Sequence, residues 1–425
     1  MHLQPLAAVV AATALAPLVT LLPATSVEAA VPGRRIAYEQ WGSSHAFREG
    51  RLEGLVATGG RLALDHPTVR SGRYDAGSWT SPWVEPGFDL TEVIPSWSAT
   101  TRGDSAVRVE VRARTARTKG SWDTLASWAL DDAQLDRTSH DSQPDDLGRT
   151  AYDTWVSTSA AGVTGWRLRV TLLRRTGSAA APTLDTVGAV ASRLPAVSSV
   201  RTSRPGAAPN PALGRVLRVP RSSQMIHEGE YPQYDGGGEA WCSPTSTAMV
   251  LGSYDALPPA AEYRWVDDAY ADPVVDHVAR MTYDRHLGGT GNWSFNAAYA
   301  AGRTGHAMVT RLRSLREAER FIAAGIPLVA SVTFGAGELH GAPISSTNGH
   351  LLVIVGFRRN GDVVVNDPAA GTRRGVRRTY DRGQFEDAWL KRYPTAGSLR
   401  GSGGLVYVIR DDAHPLPERG KNRNW

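Results

Sequence analysis

The segment Glu239-Ala-Trp-Cys-Ser-Pro-Thr-Ser-Thr-Ala-Met-Val-Leu251 contains Cys242, the only cysteine among 425 residues. The residues after the cysteine predict a buried helix, because Pro244 falls in the first turn, where its missing N–H costs nothing, and an apolar run follows at Ala248–Leu251. A thiol at a helix N-terminus lies near the positive end of the helix dipole and near unpaired backbone N–H groups, which stabilise the thiolate. The segment therefore predicts a core helix that carries a nucleophilic cysteine.

The first thirty residues have the pattern of an export signal, so residues 1–30 are predicted to be a signal peptide. Residues 6–22 are almost wholly apolar, and Ala24-Thr-Ser-Val-Glu-Ala-Ala30 resembles a small-residue cleavage site. The residues before the apolar run include no Lys or Arg, which leaves an uncleaved membrane anchor as the alternative. No later stretch approaches the roughly 20 apolar residues of a membrane helix. We expect a secreted protein, associated with the cell wall or free, without stable membrane insertion after signal cleavage.

A single cysteine is unusual in a protein that is expected to be exported. Secreted proteins usually use their cysteines in pairs, as disulfides, and Cys242 has no partner in the sequence. An inert core cysteine is the alternative, since free cysteines are often buried. The position of Cys242 at a predicted helix start favours the nucleophile.

The charge pattern argues against a nucleic-acid partner. The formal net charge is +5, and nearly all basic residues are arginines scattered through predicted strands and loops. They form no sustained basic stripe of the kind that tracks a phosphate backbone. We therefore expect no nucleic-acid binding.

Residues 31–200 have the pattern of an antiparallel β-sandwich, predicted to be jelly-roll-like. In Ala106-Val-Arg-Val-Glu-Val-Arg-Ala-Arg114 and Gly165-Trp-Arg-Leu-Arg-Val-Thr-Leu-Leu173, every second residue is apolar, as in half-buried strands. Turn-rich pieces separate such segments, and no strong helix is indicated. This half contains no recognisable catalytic residues, so we expect a binding module that contacts glycans or the cell wall.

Eight of the thirteen tryptophans lie in this half, and each has two interpretations. They are either platforms on which sugar rings stack or packing between the two sheets, and core packing is favoured for each residue taken alone. The residues are Trp41, Trp79, Trp83, Trp97, Trp122, Trp128, Trp155 and Trp166.

Residues 201–218 have the Pro/Gly/Ala content of an inter-domain linker, and residues 219–425 are predicted to form an α+β domain. The predicted helices are Ser243–Tyr254, Pro273–His286, Ser294–Arg303, Leu315–Ala324 and Gly383–Leu390. The predicted strands are Ala307–Leu312, Pro327–Thr333, His350–Phe357, Asp362–Asn366 and Leu405–Arg410.

A nucleophilic cysteine needs a histidine to hold the thiolate and a third group to orient that histidine. His350 opens an apolar strand, and Asp367 ends the next strand before a proline. If the hairpin loop has four residues, Leu352 faces Asp367, and His350 and Asp367 become diagonal neighbours roughly 7–8 Å apart between Cα atoms. A two-residue turn would separate them by about 13 Å, so a triad requires the longer loop or a bulge. The alternative is a surface histidine and an Asx turn.

Together these residues resemble a known family. From about residue 219 to 410 the chain is similar to the C39-like cysteine peptidases, papain-fold relatives of the bacteriocin-processing (double-glycine-leader) peptidases. The resemblance implies a papain-like fold in which Cys242 is the nucleophile, His350 the general base and acid, and Asp367 the orienting residue. One departure is Ser243, because the family commonly has glycine there, and we expect the extra side chain to narrow the site. The matching motifs are Val219–Gln224, Trp241–Leu251, Ser314–Pro327, Gly349-His350 and Asn366–Ala369.

In this fold the oxyanion hole combines the nucleophile's backbone N–H with an upstream glutamine side chain. Gln224 is preferred for its sequence context, and Gln233 is the alternative. We expect no cofactor and no metal, since the sequence has no cluster with zinc-ligand spacing.

The expected function is hydrolysis of peptide or isopeptide bonds by a secreted cysteine peptidase, through a thioester on Cys242. The substrate is expected to be a peptide or protein, with cell-wall-linked peptides included. Two alternatives stay open: acyl transfer of the transglutaminase or cell-wall amidase type, and a non-catalytic surface binding protein with a relic site.

Overall fold

The computed structural model describes residues 33–67, 69–131, 135–144, 146–395, 398–419 and 423–425. The predicted signal peptide, residues 1–30, lies outside these residues. No helix among the described residues has both the length and the apolar character needed to cross a membrane.

The N-terminal half is an antiparallel β-sandwich of two sheets. The elements are β1 (Arg35–Trp41), α1 (Ser44–Arg48), β2 (Arg51–Glu53), β3 (Leu55–Thr58), β4 (Arg61–Leu64), β5 (Val69–Ser71), β6 (Tyr74–Thr80), β7 (Glu92–Thr100), β8 (Ser105–Arg114), β9 (Asp123–Trp128), β10 (Thr138–Ser139), β11 (Gly148–Ala151), β12 (Thr154–Ser157), β13 (Gly165–Arg175) and β14 (Thr183–Arg193). One sheet has the order β11-β12-β7-β14-β4-β3, and β1 also pairs with β14. The other sheet has the order β10-β9-β8-β13-β6-β2, and β5 also pairs with β6.

Tryptophans fill the space between the two sheets. Trp41 on β1 lies edge-on to Trp79 on β6 and Trp166 on β13, with ring centroids 5.3 and 6.2 Å apart. Such edge-to-face contacts add to the apolar area that each ring buries. Six of the eight tryptophans are buried, which confirms core packing for them. Trp83 and Trp122 are the two that stay partly exposed.

The C-terminal half is α+β, with a six-stranded antiparallel sheet in the order β15-β22-β16-β17-β18-β19. Five predicted helices and five predicted strands all form, most with ends within one or two residues of the prediction. The elements are α2 (Cys242–Ser253), α3 (Pro273–Thr282), α4 (Trp293–Thr304), β15 (His306–Arg311), α5 (Leu315–Ala323), β16 (Leu328–Phe334), β17 (Thr347–Phe357), β18 (Val363–Asn366), β19 (Arg377–Tyr380), α6 (Arg382–Leu390), β20 (Tyr393–Thr395), β21 (Ser398–Arg400) and β22 (Leu405–Arg410).

One helix boundary was wrong by four residues. Helix α3 was predicted to reach His286, but it ends at Thr282. The Asp284 carboxylate accepts hydrogen bonds from the backbone N–H groups of His286 and Leu287, and also from that of Ser139 in the sandwich. An aspartate that bonds nearby backbone in this way competes with helical hydrogen bonding. A contact from the other half of the chain therefore favours a turn where local sequence predicts a helix.

The segment predicted as a linker, residues 201–218, is packed against the C-terminal domain. Leu213 and Val216 form β-bridges to Phe357 and Gly356 at the end of β17. The backbone N–H of Gly206 donates to Glu319 Oε2 at 2.9 Å. Residues 33–425 form one compact unit. This segment therefore extends the sheet locally and does not act as a free tether.

Helix α4 joins the two halves. The Phe295 ring lies 5.3 Å from Trp128 and 6.3 Å from Trp97, and the Ser294 hydroxyl donates to the Pro95 carbonyl at 2.6 Å. Nearby, the buried Glu92 carboxylate of β7 pairs with two arginines of the C-terminal half, Arg311 at 2.9 Å and Arg392 at 2.5 Å. The sandwich and the α+β domain thus share one core.

The Glu92→Gln variant is expected to lower the free energy of unfolding by about 3–5 kcal/mol, because it leaves two buried guanidinium groups without their carboxylate. Burial alone would raise the pKa of Glu92, but Arg392 and Arg311 hold it below its usual range. Urea unfolding followed by tryptophan fluorescence measures the change. Asp185→Asn is the control: its partner Arg61 is half exposed, so its removal should cost less than about 1 kcal/mol. A Glu92→Gln loss as small as the control's would show that the pair does not stabilise the interface.

Candidate active site

Cys242 is the first residue of α2, and the structure presents its side chain at the end of an otherwise buried helix. Ser243 to Leu251 are all buried, whereas Cys242 is partly exposed. No side chain of the described residues caps this helix start. The preceding Trp241 is fixed by its indole N–H, which donates to the Tyr234 carbonyl at 2.6 Å. The thiol is therefore accessible to a substrate and lies at the positive end of a helix.

His350 faces this thiol from strand β17. The hydroxyl of Ser246 in α2 donates to the Leu351 carbonyl at 3.2 Å, which holds the helix against the strand. The His350 ring is buried, and the Cys242 side chain is close enough to raise its pKa. Within the sheet, His350 lies opposite Val332 of the neighbouring strand β16. A histidine in the middle of a sheet has little freedom to move away from the thiol.

Asp367 binds the far side of the same ring. Its Oδ1 lies 2.8 Å from His350 Nε2, which leaves Nδ1 of the imidazole for the thiol. The carboxylate also accepts hydrogen bonds from the Tyr380 hydroxyl, at 2.7 Å to Oδ2, and from the Ala369 N–H, at 3.1 Å to Oδ1. Three donors fix a buried carboxylate in one orientation. The structure thus brings Cys242, His350 and Asp367 together.

A β-bulge sets the register that brings His350 and Asp367 together. Phe357 faces Val363, one residue later than the four-residue loop predicts, but the pairing shifts between Ile354 and Gly356, so that Val353 faces Asn366. Continued by one residue, this register places Leu352 opposite Asp367, as expected. The bulge lies where the segment before Val219 crosses β17: Leu217 N–H donates to the Val355 carbonyl at 2.8 Å. The bulge leaves backbone groups of β17 unpaired with β18, and the crossing segment hydrogen-bonds to them.

The electrostatics of the site keep His350 protonated. Burial alone lowers the pKa of His350, but the Asp367 carboxylate and then the Cys242 side chain raise it, to about 10. Burial has the opposite effect on Asp367 and raises its pKa, but the His350 charge and the Tyr380 hydroxyl outweigh that effect, so the pKa of the carboxyl falls. Burial and the neighbouring Asp367 raise the pKa of Tyr380, which stays a neutral donor. The arrangement favours an imidazolium paired with the Asp367 carboxylate.

The two glutamine candidates differ in position. Gln224 is buried, and its Nε2 donates to the Glu239 carbonyl at 2.7 Å, three residues before Cys242. Its backbone N–H donates to the Pro368 carbonyl at 2.9 Å, beside Asp367. Gln233 is exposed in a turn. Gln224 is therefore the glutamine that is tied to both the cysteine segment and the aspartate segment.

Tyr380 was not anticipated from the sequence. It ends β19, a strand that was not predicted, and no local pattern marks it as a partner of Asp367. Its role depends on the pairing of β18 with β19, in which Val363 faces Tyr380. Only the pairing of distant strands reveals it.

One cluster among the described residues has metal-ligand character, although the sequence spacing predicts none. His227, Glu230 and Asp276 place their ligand atoms within 4.8 Å of one another. His227 Nδ1 lies 2.8 Å from Glu230 Oε2 and 3.2 Å from Asp276 Oδ2, so a protonated His227 forms ion pairs with both carboxylates. Burial lowers the pKa of His227, and the two carboxylates raise it above its usual value. The cluster braces the 3₁₀ turn that begins at Gln224.

Comparison with known proteins identifies the family. A model of the Peptidase C39 N-terminal domain matches residues 37–192, and a model of the Peptidase_C39 like family matches residues 216–396. No curated protein matches the chain. Among solved structures, a low affinity xylan binding module, CBM86, from Roseburia intestinalis is 11% identical over 36% of this chain and 92% of its own, with a TM-score of 0.18. A likeness at that score supports no conclusion about fold or ligand. The first model matches the sandwich and the second the α+β domain, with residues 193–215 between them, and residues 216–396 belong to the C39-like peptidase family.

Proposed function

We propose that this protein is a secreted cysteine peptidase that hydrolyses peptide or isopeptide bonds through Cys242, His350 and Asp367. The observation that carries the proposal is a partly exposed thiol at a helix N-terminus beside a buried histidine, which a buried aspartate holds by a hydrogen bond. This is the arrangement of an activated nucleophile with its base and orienting group. Secretion is supported by the pattern of residues 1–30 alone.

The reaction would proceed in two acyl transfers. The Cys242 thiolate attacks the scissile carbonyl, and the C–N bond breaks as the His350 imidazolium gives its proton to the leaving amine, which leaves a thioester on Cys242. A water molecule then attacks the thioester and gives a proton to the neutral His350. The C–S bond breaks, the carboxylic acid departs, and the thiolate–imidazolium pair is restored. Asp367 keeps the His350 ring oriented in both steps.

The negative charge that develops on the carbonyl oxygen needs donors. The backbone N–H of Cys242 lies at the start of α2, and the Gln224 amide is tied to the Glu239 carbonyl beside it. We infer that these two N–H groups form the oxyanion hole. Preorganised donors of this kind contribute to the rate because they need no rearrangement when the charge appears.

Gln224→Ala is expected to lower kcat by roughly 10²–10³-fold with a much smaller change in KM, because the lost donor acts mainly in the transition state. Steady-state kinetics on a peptide substrate measure both constants. The alkylation rate of Cys242 by iodoacetamide should stay close to wild type, since that reaction develops no oxyanion. Gln233→Ala is the matched control and should be neutral. If Gln233→Ala causes the large loss in kcat and Gln224→Ala does not, the assignment of the two glutamines is reversed.

The substrate class is tested by comparing peptide libraries with purified cell wall. The proposed function predicts new amino and carboxyl termini in at least one of them, and no such products with Cys242→Ala. An added primary amine separates the two reaction types: hydrolysis gives free acid, and a transferase gives the amide. Cleavage that persists in Cys242→Ala, or no cleavage of any substrate by the wild type, would contradict the proposal.

A further inference from the structure

The outer face of the second sandwich sheet carries a concentration of arginines that the proposed peptidase site does not use. Arg108 and Arg112 lie on β8 and Arg167 and Arg169 on β13, and together with Trp122 they line a groove of about 490 Å³. We call these five residues the arginine groove. The alternation of the two strands places valines and leucines on the core side and these arginines on the outer side.

Two partly exposed tryptophans hold the guanidinium groups in place. The Arg167 guanidinium lies over both the Trp83 ring, at 4.6 Å, and the Trp122 ring, at 5.0 Å. Arg169 and Arg112 also approach Trp122, at 4.5 and 5.8 Å. Cations stacked on ring faces keep their N–H edges directed away from the rings and available to a planar anion. The two indole faces are correspondingly less available to stack sugar rings or bases.

The positive charges of the groove are only partly compensated. Arg169 is paired with Glu110, Nε to Oε2 at 2.6 Å, and Arg51 at the rim is paired with Glu53. Among the described residues, no carboxylate lies within ion-pair distance of Arg108, Arg112 or Arg167, and Glu49 is the further acid on the rim. The side chain of Arg112 instead donates to the Gly120 carbonyl.

The pairing of β8 with β13 places two arginines opposite each other, which is unfavourable when no anion is bound in the groove. Arg167 lies directly opposite Arg112 in the pairing of β13 with β8. Like charges at opposed positions of a strand pair destabilise a sheet. The buried Arg167 Nε has no hydrogen-bond partner among the described residues. Burial, followed by the charges of Arg112, Arg169 and Arg114, lowers the pKa of Arg167. A bound anion would relieve the repulsion between the two arginines.

We propose that the arginine groove binds an anionic saccharide polymer, whose carboxylate or phosphate oxygens pair with Arg108, Arg112 and Arg167. A glycan is favoured over nucleic acid because guanidinium groups occupy the indole faces on which bases would stack, and because the excess positive charge is confined to one short groove. The inference concerns the sandwich alone and does not depend on the function of Cys242.

The test uses the full chain and measures retardation in affinity electrophoresis by four polymers. They are oligogalacturonate, which carries carboxylates, polyglycerol phosphate, neutral xylan and single-stranded oligonucleotide. We expect retardation by one or both anionic glycans, which identifies the oxyanion, and none by xylan. Arg167→Gln should weaken that binding about tenfold or more, since it removes a charge-assisted contact. Its melting temperature should be equal to or above that of wild type, because the repulsion with Arg112 is relieved.

Two further variants make the result decisive. Arg108→Gln removes one positive charge from the groove without breaking a cation–π contact with a tryptophan, and it should weaken binding as well. It replaces Arg167→Gln if that variant fails to fold. Arg61→Gln removes an arginine from the other sheet and should bind like wild type. The proposal is overturned if neither anionic glycan retards the protein, if Arg61→Gln loses as much binding as the groove variants, or if the oligonucleotide binds more tightly than both glycans.

Discussion

Cys242→Ala is expected to reduce peptide hydrolysis by at least about four orders of magnitude, to a level indistinguishable from the uncatalysed reaction in an ordinary assay. Alanine removes the sulfur on which the thioester would form, and water held near His350 is a poor substitute. The helix should survive, because Cys242 is partly exposed and its neighbours Ser243 to Leu251 supply the burial. The residual activity therefore reports chemistry and not unfolding.

Initial rates on a fluorogenic peptide measure the loss, and an unchanged melting temperature shows that the fold is intact. Ser243→Ala is the matched control, since it removes the adjacent hydroxyl, which is buried and lies 2.9 Å from the Tyr407 hydroxyl. That variant should keep most of its activity. If Cys242→Ala kept more than about one percent of the activity, the nucleophile would have to be another residue, and the account of the site would be wrong.

Asp367→Asn is expected to lower kcat by roughly 10²–10⁴-fold, because the amide can no longer fix the tautomer and the charge of His350. The carboxylate is buried and accepts from three donors. Asparagine has the same shape, so the backbone of the strand end need not move. Tyr380→Phe is the milder comparison: it removes one of the three donors and leaves the charge, so the loss should be about tenfold or less.

The pH profile distinguishes loss of charge from loss of position. The reaction requires His350 as imidazolium to protonate the leaving amine, and this form is present below its pKa of about 10. Activity of the wild type should therefore fall as the pH rises through that value. Asp367 is the main contribution that raises the pKa against burial, so in Asp367→Asn the alkaline limb should move to lower pH. An unchanged limb in a variant with reduced kcat would show that Asp367 acts only by positioning the ring.

The sequence predicts the parts of this molecule that depend on local pattern. Alternating residues in Ser105–Arg114 and Gly165–Arg175 identify sandwich strands, and the helical period after Cys242 identifies α2. His350 and Asp367 could be paired from the spacing of one hairpin, because neighbouring strands have a fixed geometry. These predictions succeed because each one needs only a few consecutive residues.

Features that depend on distant segments could not be predicted in this way. The bulge in β17 arises where Leu217 crosses the strand, and the end of α3 is set by a contact with Ser139. The interface around α4 pairs Phe295 with Trp128, more than 160 positions earlier in the chain. No local rule states which apolar face will cover which, because burial is non-directional and many pairings bury similar areas. For the same reason, the composition of residues 201–218 predicts a flexible linker and does not reveal that the segment packs against the C-terminal domain.

Activation of Cys242 by the folded protein is tested by the reaction of its thiol with iodoacetamide at pH 6. Cys242 is the only cysteine, so every thiol label reports this residue. Thiolates react and thiols do not, so an imidazolium held against the sulfur should speed alkylation at this pH. We expect the native protein to be labelled at least about tenfold faster than the urea-denatured chain, and we expect His350→Ala to remove the difference. Labelling of the native protein at or below the denatured rate would contradict this activation.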